Sequence, residues 1–181
     1  MTDFVQGYPD GVILAFDEMK LYFQATLTHV WAAIGQTPLV AVQPQREQSS
    51  FYGVLNLRNG REIAMGSTQQ NSEHTANFLM QVLMIYPQPI LLLMDRAPWH
   101  FGAVTALLEA TDRLELLYFP VACPELNPQE HIWAQARDNI SHNHTYRSFE
   151  TLLDDFETYL NETLFETHFM QKYTPSSLWL T

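Results

Sequence analysis

Three carboxylates stand out in this sequence, because each lies at the edge of a segment that predicts regular structure. Asp17 ends the apolar run in GVILAFDEMK, and Asp95 ends the run in ILLLMDRAPWH. Glu130 lies at the start of a predicted helix in PELNPQEHIW. A carboxylate beside a buried strand costs free energy unless it gains a partner or a cation. Three converging acids would line a site with oxygen ligands for Mg²⁺, the usual electrophile in phosphodiester chemistry.

The strands that would carry the two aspartates are predicted from their composition. Residues 12–16 and 90–94 are apolar at every position, which is typical of strands buried on both faces. Because side chains alternate along a strand, Asp17 and Glu18 are expected to point to opposite faces. If the two strands run parallel, Asp17 and Asp95 emerge at the same edge of the sheet, where ligand sites of such sheets lie.

The remaining segments predict a mixed sheet flanked by helices. Early strands in a meander, followed by alternating helices and strands, favour an α/β fold with helices on both faces. Residues 21–31 and 50–57 are strand-like, and Asn59-Gly60 predicts a type I′ hairpin turn. The other predicted elements are a helix from Asn71 or Ser72 to Tyr86, a helix over about 101–110, a strand over 114–119, a helix starting at Asn127 and Pro128, and an amphipathic helix over about 148–168.

The three acids also lie in motifs that resemble a known family. The motifs are Asp17-Glu18, a D-x-A-P-x-H pattern from Asp95 to His100, and a P-x-L-N-P-x-E-x-x-W pattern that ends at Trp133. In this order they resemble the catalytic domain of the mariner-like insertion-sequence transposases of the DDE superfamily, over roughly residues 10–140. The resemblance implies a ribonuclease H-like mixed sheet, an antiparallel meander followed by parallel strands, with helices on both faces.

What the resemblance implies for function is a metal-dependent DNA transposase or endonuclease. Asp17, Asp95 and Glu130 would be the catalytic residues and metal ligands, holding two Mg²⁺ or Mn²⁺ ions. The site would hydrolyse a phosphodiester at a transposon end and then use the freed 3′-hydroxyl to attack target DNA. The implied partners are transposon-end DNA, target DNA and an upstream helix-turn-helix module or chain, and a homodimer is compatible with them.

Four other residues are candidate DNA contacts. His100 ends the second motif, where a lid or a helix cap is the structural alternative. Arg96 stands where the family commonly has asparagine, so a cation would lie beside the metals and either weaken their binding or contact phosphate. Arg58 and Arg61 flank the predicted hairpin turn and could contact phosphate, although arginines on turns are usually only solvated.

The acids have structural alternatives as well. Asp17 could face solvent or meet Lys20. With Asn127 as N-cap, Glu130 occupies the third helical position, where a capping-box glutamate bonds back to the N-cap amide. Trp133 is expected to be a packing anchor rather than a DNA contact.

Chain length, cysteine content and net charge limit these assignments. A chain of 181 residues predicts a single catalytic domain over 1–181, and its one cysteine excludes an internal disulfide framework. The net charge of −11 argues against tight DNA binding by this chain alone. The sequence starts close to the first predicted catalytic strand, so an upstream helix-turn-helix domain is expected to be absent. No signal peptide or membrane span is predicted, which favours the cytoplasm.

Two other functions fit parts of the sequence. A non-catalytic ribonuclease H-like remnant that acts as an interaction module would account for the acidic charge. A metal-dependent nuclease of the same fold, without a role in transposition, would use the same three acids. Retention of all three acids and of the Leu126-to-Glu130 block favours catalysis over the remnant.

Overall fold

The computed structural model describes residues 1–24, 27–39, 45–121, 123 and 126–166. Its centre is a five-stranded sheet in the order β3-β2-β1-β4-β5, in which β1, β2 and β3 are antiparallel neighbours and β4 and β5 run parallel to β1. The predicted mixed sheet is therefore confirmed. The strands are β1 (Val12–Tyr22), β2 (Gln48–Asn56), β3 (Glu62–Ser67), β4 (Ile90–Met94) and β5 (Leu114–Tyr118).

Asparagine side chains cap the helices that begin at Ser72 and Pro128, as the sequence predicted. The Asn71 side chain accepts a hydrogen bond from the backbone N–H of His74, and the Asn127 side chain accepts one from Gln129. No helix in the described part of the chain is long and apolar enough to cross a membrane. The helices are α1 (Thr2–Gly7), α2 (Ser72–Ile85), α3 (Pro98–Ala110), α4 (Pro128–Ala136, followed by a π-helical turn over Arg137–Ser141) and α5 (Phe149–Glu162).

Each face of the sheet has its own hydrophobic core. Ile13 and Ala15 of β1 belong to the core that includes side chains of α4 and α5. Leu14 and Phe16 belong to the core that includes side chains of α2 and α3. The helices thus cover both faces, and the alternation along β1 directs Asp17 and Glu18 to opposite sides, as predicted.

The first strand is longer than predicted, and the segment after it is not a strand. β1 pairs with β2 as far as Tyr22 opposite Gln48, so Asp17 lies within the strand rather than at its end. The expectation of a second strand over residues 21–31 is wrong, since residues 27–34 have no strand pairing and Trp31 is fully exposed. Residues 25–26 lie outside the described part.

Two other boundaries need correction. The link between β2 and β3 is a longer loop over residues 57–61, in which Gly60 has a φ of 71° but Asn59 does not have a positive φ. A type I′ turn needs a positive φ at both central residues, so that prediction is wrong. The last helix ends at Glu162 instead of near residue 168, and Leu164 instead bridges to Arg61.

Candidate active site

The register of the two parallel central strands aligns the two aspartates. β1 and β4 pair from Val12 opposite Ile90 to Ala15 opposite Leu93. Continuing this register by two residues brings Asp17 level with Asp95, which directly follows β4. Both aspartates therefore lie at the carboxyl end of β4, at one edge of the sheet, as the sequence predicted.

The third acid lies at the same pocket. Asp17, Asp95 and Glu130 line one open pocket of about 280 Å³. The side chain of Asp95 is 54% exposed and Glu130 is also exposed, whereas Asp17 is partly buried and lies deepest. The rest of the pocket is formed by Arg96, Ala97, Phe119, Pro120, Val121, Cys123 and Asn127.

Asp17 is the acid that is most perturbed by its surroundings. Burial raises the pKa of Asp17 to about 8, and the negative charges of Glu130, Glu18 and Asp95 act in the same direction, against a backbone hydrogen bond from Glu18 that lowers it. Among the ion pairs of the described residues, none joins Asp17 to Lys20. Burial and the neighbouring acids thus disfavour the charged form of Asp17.

Trp133 is buried, as expected of a packing anchor, and it also contacts the first acid. Its indole Nε1 donates a hydrogen bond to Oδ2 of Asp17 at 3.2 Å, and its side chain is 1% exposed. Because Trp133 and Glu130 lie on the same helix, the packing of α4 positions two of the three acids. Sequence reasoning assigned Trp133 to packing but did not predict its bond to Asp17.

On the other face of β1, Glu18 and His100 form a buried ion pair. His100 Nε2 lies 2.8 Å from Glu18 Oε1, and His100 Nδ1 lies 3.0 Å from Asp95 Oδ1. Burial alone would lower the pKa of His100, but hydrogen bonds to Asp95 and Glu18, together with their charges, raise it to about 9. The same contact with His100 lowers the pKa of Asp95. His100 is thus an imidazolium that links the second acid to β1.

This geometry corrects the expectation that His100 contacts DNA. The residue is 1% exposed, so it offers no surface to a nucleic acid. Trp99 packs edge-on against its ring and donates its indole N–H to Glu18 at 3.3 Å. The signal that could have identified the pair is the alternation along β1, which places Glu18 on the face that α3 covers.

The three arginine candidates are divided between opposite edges of the sheet. Arg96 lines the acidic pocket and places its guanidinium 5.4 Å from the centre of the Tyr118 ring. Arg58 and Arg61 lie in the β2–β3 loop, where Arg58 donates a hydrogen bond to the Pro9 carbonyl at 2.6 Å. That loop adjoins the amino end of β1, because the N–H of Leu57 donates to the carbonyl of Ile13. The fold therefore brings only Arg96 to the acids.

The capping-box alternative for Glu130 is not formed. The backbone N–H of Glu130 donates to the Asn127 carbonyl at 3.2 Å. Within the described residues, no hydrogen bond runs from the Glu130 carboxylate back to the Asn127 amide. The cap of α4 is the Asn127 side chain, which leaves the Glu130 carboxylate free to face the pocket.

A buried carboxyl group that sequence reasoning missed lies on β3. Glu62 is 4% exposed and accepts a hydrogen bond from Nε2 of Gln129, which is completely buried at the start of α4. The two residues are 67 positions apart, so no local pattern links them. A glutamate that alternates with Ala64 and Gly66 on the core face of a strand was the available signal.

The acidic pocket does not form a finished metal cage. In the part of the chain that the structure describes, no three histidine, cysteine, aspartate or glutamate side chains lie close enough together to hold an ion. The donor chemistry still suits a hard cation, because three carboxylates line one pocket and their charges raise the pKa of Asp17.

Comparisons with known proteins identify the family and the fold of this chain. Residues 12–153 match the family described as DDE superfamily endonuclease. An insertion element IS630 uncharacterized 39 kDa protein of Shigella sonnei is 24% identical over 162 residues, which are 88% of this chain and 44% of that protein. The uncharacterized protein y4pE/y4sA of Sinorhizobium fredii is 36% identical over 62 residues, 34% of this chain and 44% of that protein. These matches span less than half the length of either relative.

Solved structures show the same fold. A pre-cleavage Mos1 transpososome has a TM-score of 0.66 at 16% identity, covering 89% of this chain and 51% of that chain. The catalytic domain of Mos1 mariner transposase has a TM-score of 0.58 at 14% identity, covering 89% of this chain and 74% of that chain. At this identity the likeness shows the ribonuclease H-like fold alone. The match over residues 12–153 establishes that the chain belongs to the DDE superfamily endonuclease family.

Proposed function

We propose that this chain is the catalytic domain of a DNA transposase related to IS630 and mariner enzymes. It would hydrolyse a phosphodiester at a transposon end and join the freed 3′-hydroxyl to target DNA. One observation carries the proposal: Asp17, Asp95 and Glu130, from three separate segments, line a single solvent-accessible pocket. Membership of the DDE superfamily endonuclease family supports it.

The three acids would hold divalent cations, two Mg²⁺ or Mn²⁺ ions. Carboxylate oxygens are the ligands these ions prefer, and the repulsion that raises the pKa of Asp17 would be relieved by positive charge. Such ions, when bound, lower the pKa of an attacking water and stabilise charge on the leaving oxygen. Mos1 paired-end complexes with Mn and with Mg support a divalent cofactor. Since no ready-made cage is present among the described residues, the acids would have to approach one another.

The neighbouring residues would position these ligands and the substrate. Trp133 orients Asp17 through its indole hydrogen bond, and His100 restrains Asp95 through an ion pair. Arg96 lies at the pocket and stacks on the Tyr118 ring, and its side chain remains exposed. It would therefore contact a DNA phosphate. In these roles the three residues orient the acids and the substrate. None of them would form a covalent intermediate with DNA.

The partners in this proposal are transposon-end DNA and target DNA. Mos1 structures that contain transposon ends and a strand-transfer complex support a DNA substrate. A net charge of −11 provides little affinity for phosphates, so an upstream helix-turn-helix module, in the same protein or in a partner chain, would hold most of the DNA. A homodimer would let two sites act on two ends. A DNA substrate also fits the expected cytoplasmic location.

The experiment is a cleavage assay on a labelled terminal-repeat duplex, with and without Mn²⁺. It would use the full chain, alone and joined to the helix-turn-helix module of a relative. Glu130→Gln and Asp95→Asn are expected to lower cleavage by at least about 10³-fold. Glu115→Gln, which changes an exposed glutamate on β5, is the matched control and should cleave normally.

Two outcomes would contradict the proposal. Cleavage that persists in Glu130→Gln would return Glu130 to a structural role. The absence of Mn²⁺-dependent cleavage in both forms of the parent protein would favour the non-catalytic interaction module, which the acidic charge also suits.

A further inference from the structure

The buried pair of Glu62 and Gln129 leaves two polar atoms without a partner. Gln129 Nε2 donates to Glu62 Oε1, and both side chains are almost completely excluded from solvent. The remaining oxygen of each group, Glu62 Oε2 and Gln129 Oε1, is buried and has no hydrogen bond. An isolated buried acceptor is costly, and a buried carboxylate with a single neutral donor is costlier still.

A proton on the Glu62 carboxyl group would give both of these oxygen atoms a hydrogen bond. If Glu62 is ionised, its free oxygen and the Gln129 carbonyl oxygen are both acceptors and cannot bond to each other. If Glu62 is a carboxylic acid, its O–H can donate to Gln129 Oε1 while its carbonyl oxygen accepts from Gln129 Nε2. We propose that Glu62 is held as a neutral carboxylic acid joined to the Gln129 amide by two hydrogen bonds, and that this acid–amide pair positions α4 against the sheet.

The pair lies in space that a glycine leaves open. Gly53 of β2 lies opposite Asp17 in the β1–β2 ladder. A Cβ atom at Gly53 would collide with Glu62 Oε1, Gln129 Nε2 and the indole ring of Trp133. The absence of a side chain at Gly53 thus creates the cavity that the pair fills, directly beside the strand position that carries the first acid.

The charges around Glu62 favour the neutral form. Burial raises the pKa of Glu62 well above its usual value, against the Gln129 hydrogen bond, and the negative charge of Asp17 on β1 raises it further. Glu130 on α4 and Glu157 on α5, whose carboxylate accepts a hydrogen bond from the Gly66 N–H of β3, are also acidic. Burial and the charge of Asp17 thus both oppose ionisation of Glu62.

The pair is a positioning element because of what α4 carries. Gln129 directly precedes Glu130, and the same helix brings Trp133 to Asp17. A helix anchored to β3 through Gln129 keeps the third acid and the support of the first acid in fixed register. This consequence rests on the proposed function, whereas the protonation of Glu62 does not.

The first test measures the protonation state of Glu62 directly. Protein labelled with ¹³C at glutamate carboxyl carbons would be studied by NMR at pH 7, and the Glu62 signal assigned by its loss in Glu62→Gln. A chemical shift typical of a carboxylic acid at pH 7 is expected. A shift typical of a carboxylate at pH 7 would overturn the proposal, whatever the activity of the protein.

The second test uses isosteric variants and urea unfolding at neutral pH. Glu62→Gln replaces the acid by an amide that can make the same two hydrogen bonds, so its unfolding midpoint should equal or exceed that of the parent. Glu62→Ala, Gln129→Ala and Gly53→Ala should lower the midpoint clearly. Glu115→Gln, on the exposed side of β5, is the control for loss of one carboxylate.

Exchanging the acid and the amide between positions 62 and 129 distinguishes the effect of their pairing from the effect of side-chain size. Gln129→Glu alone removes the amide N–H donor and places two acids together, so it should unfold at lower urea. Adding Glu62→Gln restores one acid and one amide, and the double variant should recover most of the lost midpoint. A double variant no more stable than Gln129→Glu, or a Glu62→Gln protein as unstable as Glu62→Ala, would overturn the pairing. Failure of DNA cleavage in every variant would instead concern the proposed function.

Discussion

The indole of Trp133 donates its N–H to Asp17 across 3.2 Å, so a residue in the core orients the first acid of the pocket. Trp133 follows Glu130 by about one helical turn on α4. A displacement of this helix would therefore move Glu130 and release Asp17 together. The pocket depends on one helix–sheet contact for two of its three acids.

Replacing Trp133 by phenylalanine should affect activity more than stability. The change removes the hydrogen bond to Asp17 but keeps an aromatic ring in the core, so the expected loss is about 1–2 kcal/mol in the free energy of unfolding. Metal-dependent cleavage should fall by much more than the folded fraction. Urea unfolding and the cleavage assay measure the two effects, with Trp31→Phe at a fully exposed site as control. Equal activity of Trp133→Phe and the parent would show that the bond does not orient Asp17.

Metal binding should stabilise the protein through Asp95. Millimolar Mn²⁺ that binds only the folded state is expected to raise the melting temperature, because binding shifts the folding equilibrium. In Asp95→Asn, the rise should be mostly lost, whereas Asp112→Asn, at an exposed position, should behave like the parent. Thermal melting with and without Mn²⁺ gives the answer. The same response in Asp95→Asn and in the parent would argue against a shared site.

The ion pair of His100 should make the protein less stable at alkaline pH. The pKa of His100 is about 9 in the fold and near 6.5 when unfolded, so its contribution is complete below pH 6.5 and is lost as the pH rises through 9. A shift of this size corresponds to roughly 3 kcal/mol. His100→Gln should remove this part of the pH dependence, while His29→Gln, at an exposed site, should keep it.

The raised pKa of Asp17 and of Glu62 also weakens the fold as pH rises, so the parent profile alone is not diagnostic for His100. The measurement is the difference in unfolding free energy between parent and His100→Gln at pH 6 and pH 10. A difference that does not change with pH would indicate that His100 is neutral in the folded protein.

DNA binding by the chain alone should be weak, independent of sequence and strongly dependent on salt. With a net charge of −11, few cations are available to meet phosphates. Arg96→Gln is expected to weaken binding and reduce the salt slope by roughly one unit, because Arg96 lies at the acidic pocket. Arg58→Gln, at the opposite edge of the sheet, is the matched control. Titrations at two salt concentrations with terminal-repeat and scrambled duplexes measure both effects, and tight repeat-specific binding would contradict the prediction.

The predictable parts of the fold are those that depend on interactions between residues close together in the sequence. The all-apolar runs before Asp17 and Asp95 identified buried strands, and their alternation separated Asp17 from Glu18. The Asn127-Pro128 pair identified the start of α4, since a side-chain cap and a missing amide donor both act within one turn. The convergence of Asp17 and Asp95 was predictable once the strands were taken to be parallel, whereas the role of Glu130 was implied only by the family resemblance.

The parts that were missed depend on contacts between distant segments. Asn59-Gly60 favours a type I′ turn locally, but the observed loop over residues 57–61 also bonds to β1 and bridges to Leu164. The contact of His100 with Glu18 was missed because the two residues are 82 positions apart in the sequence. The pairing of Glu62 was missed because only the fold brings Gly53 and Gln129 beside it.

The continuation of β1 beyond Asp17 gives the three acids unequal mechanical freedom. Asp17 is flanked by strand pairing on both sides along β1, from Leu14 opposite Asn56 to Tyr22 opposite Gln48, so its backbone cannot shift without breaking the sheet. Asp95 lies beyond the end of its strand, and Glu130 lies in the first turn of a helix. Tightening of the pocket around a cation would therefore require the backbones at Asp95 and Glu130 to move toward Asp17, whose own backbone is held by the sheet.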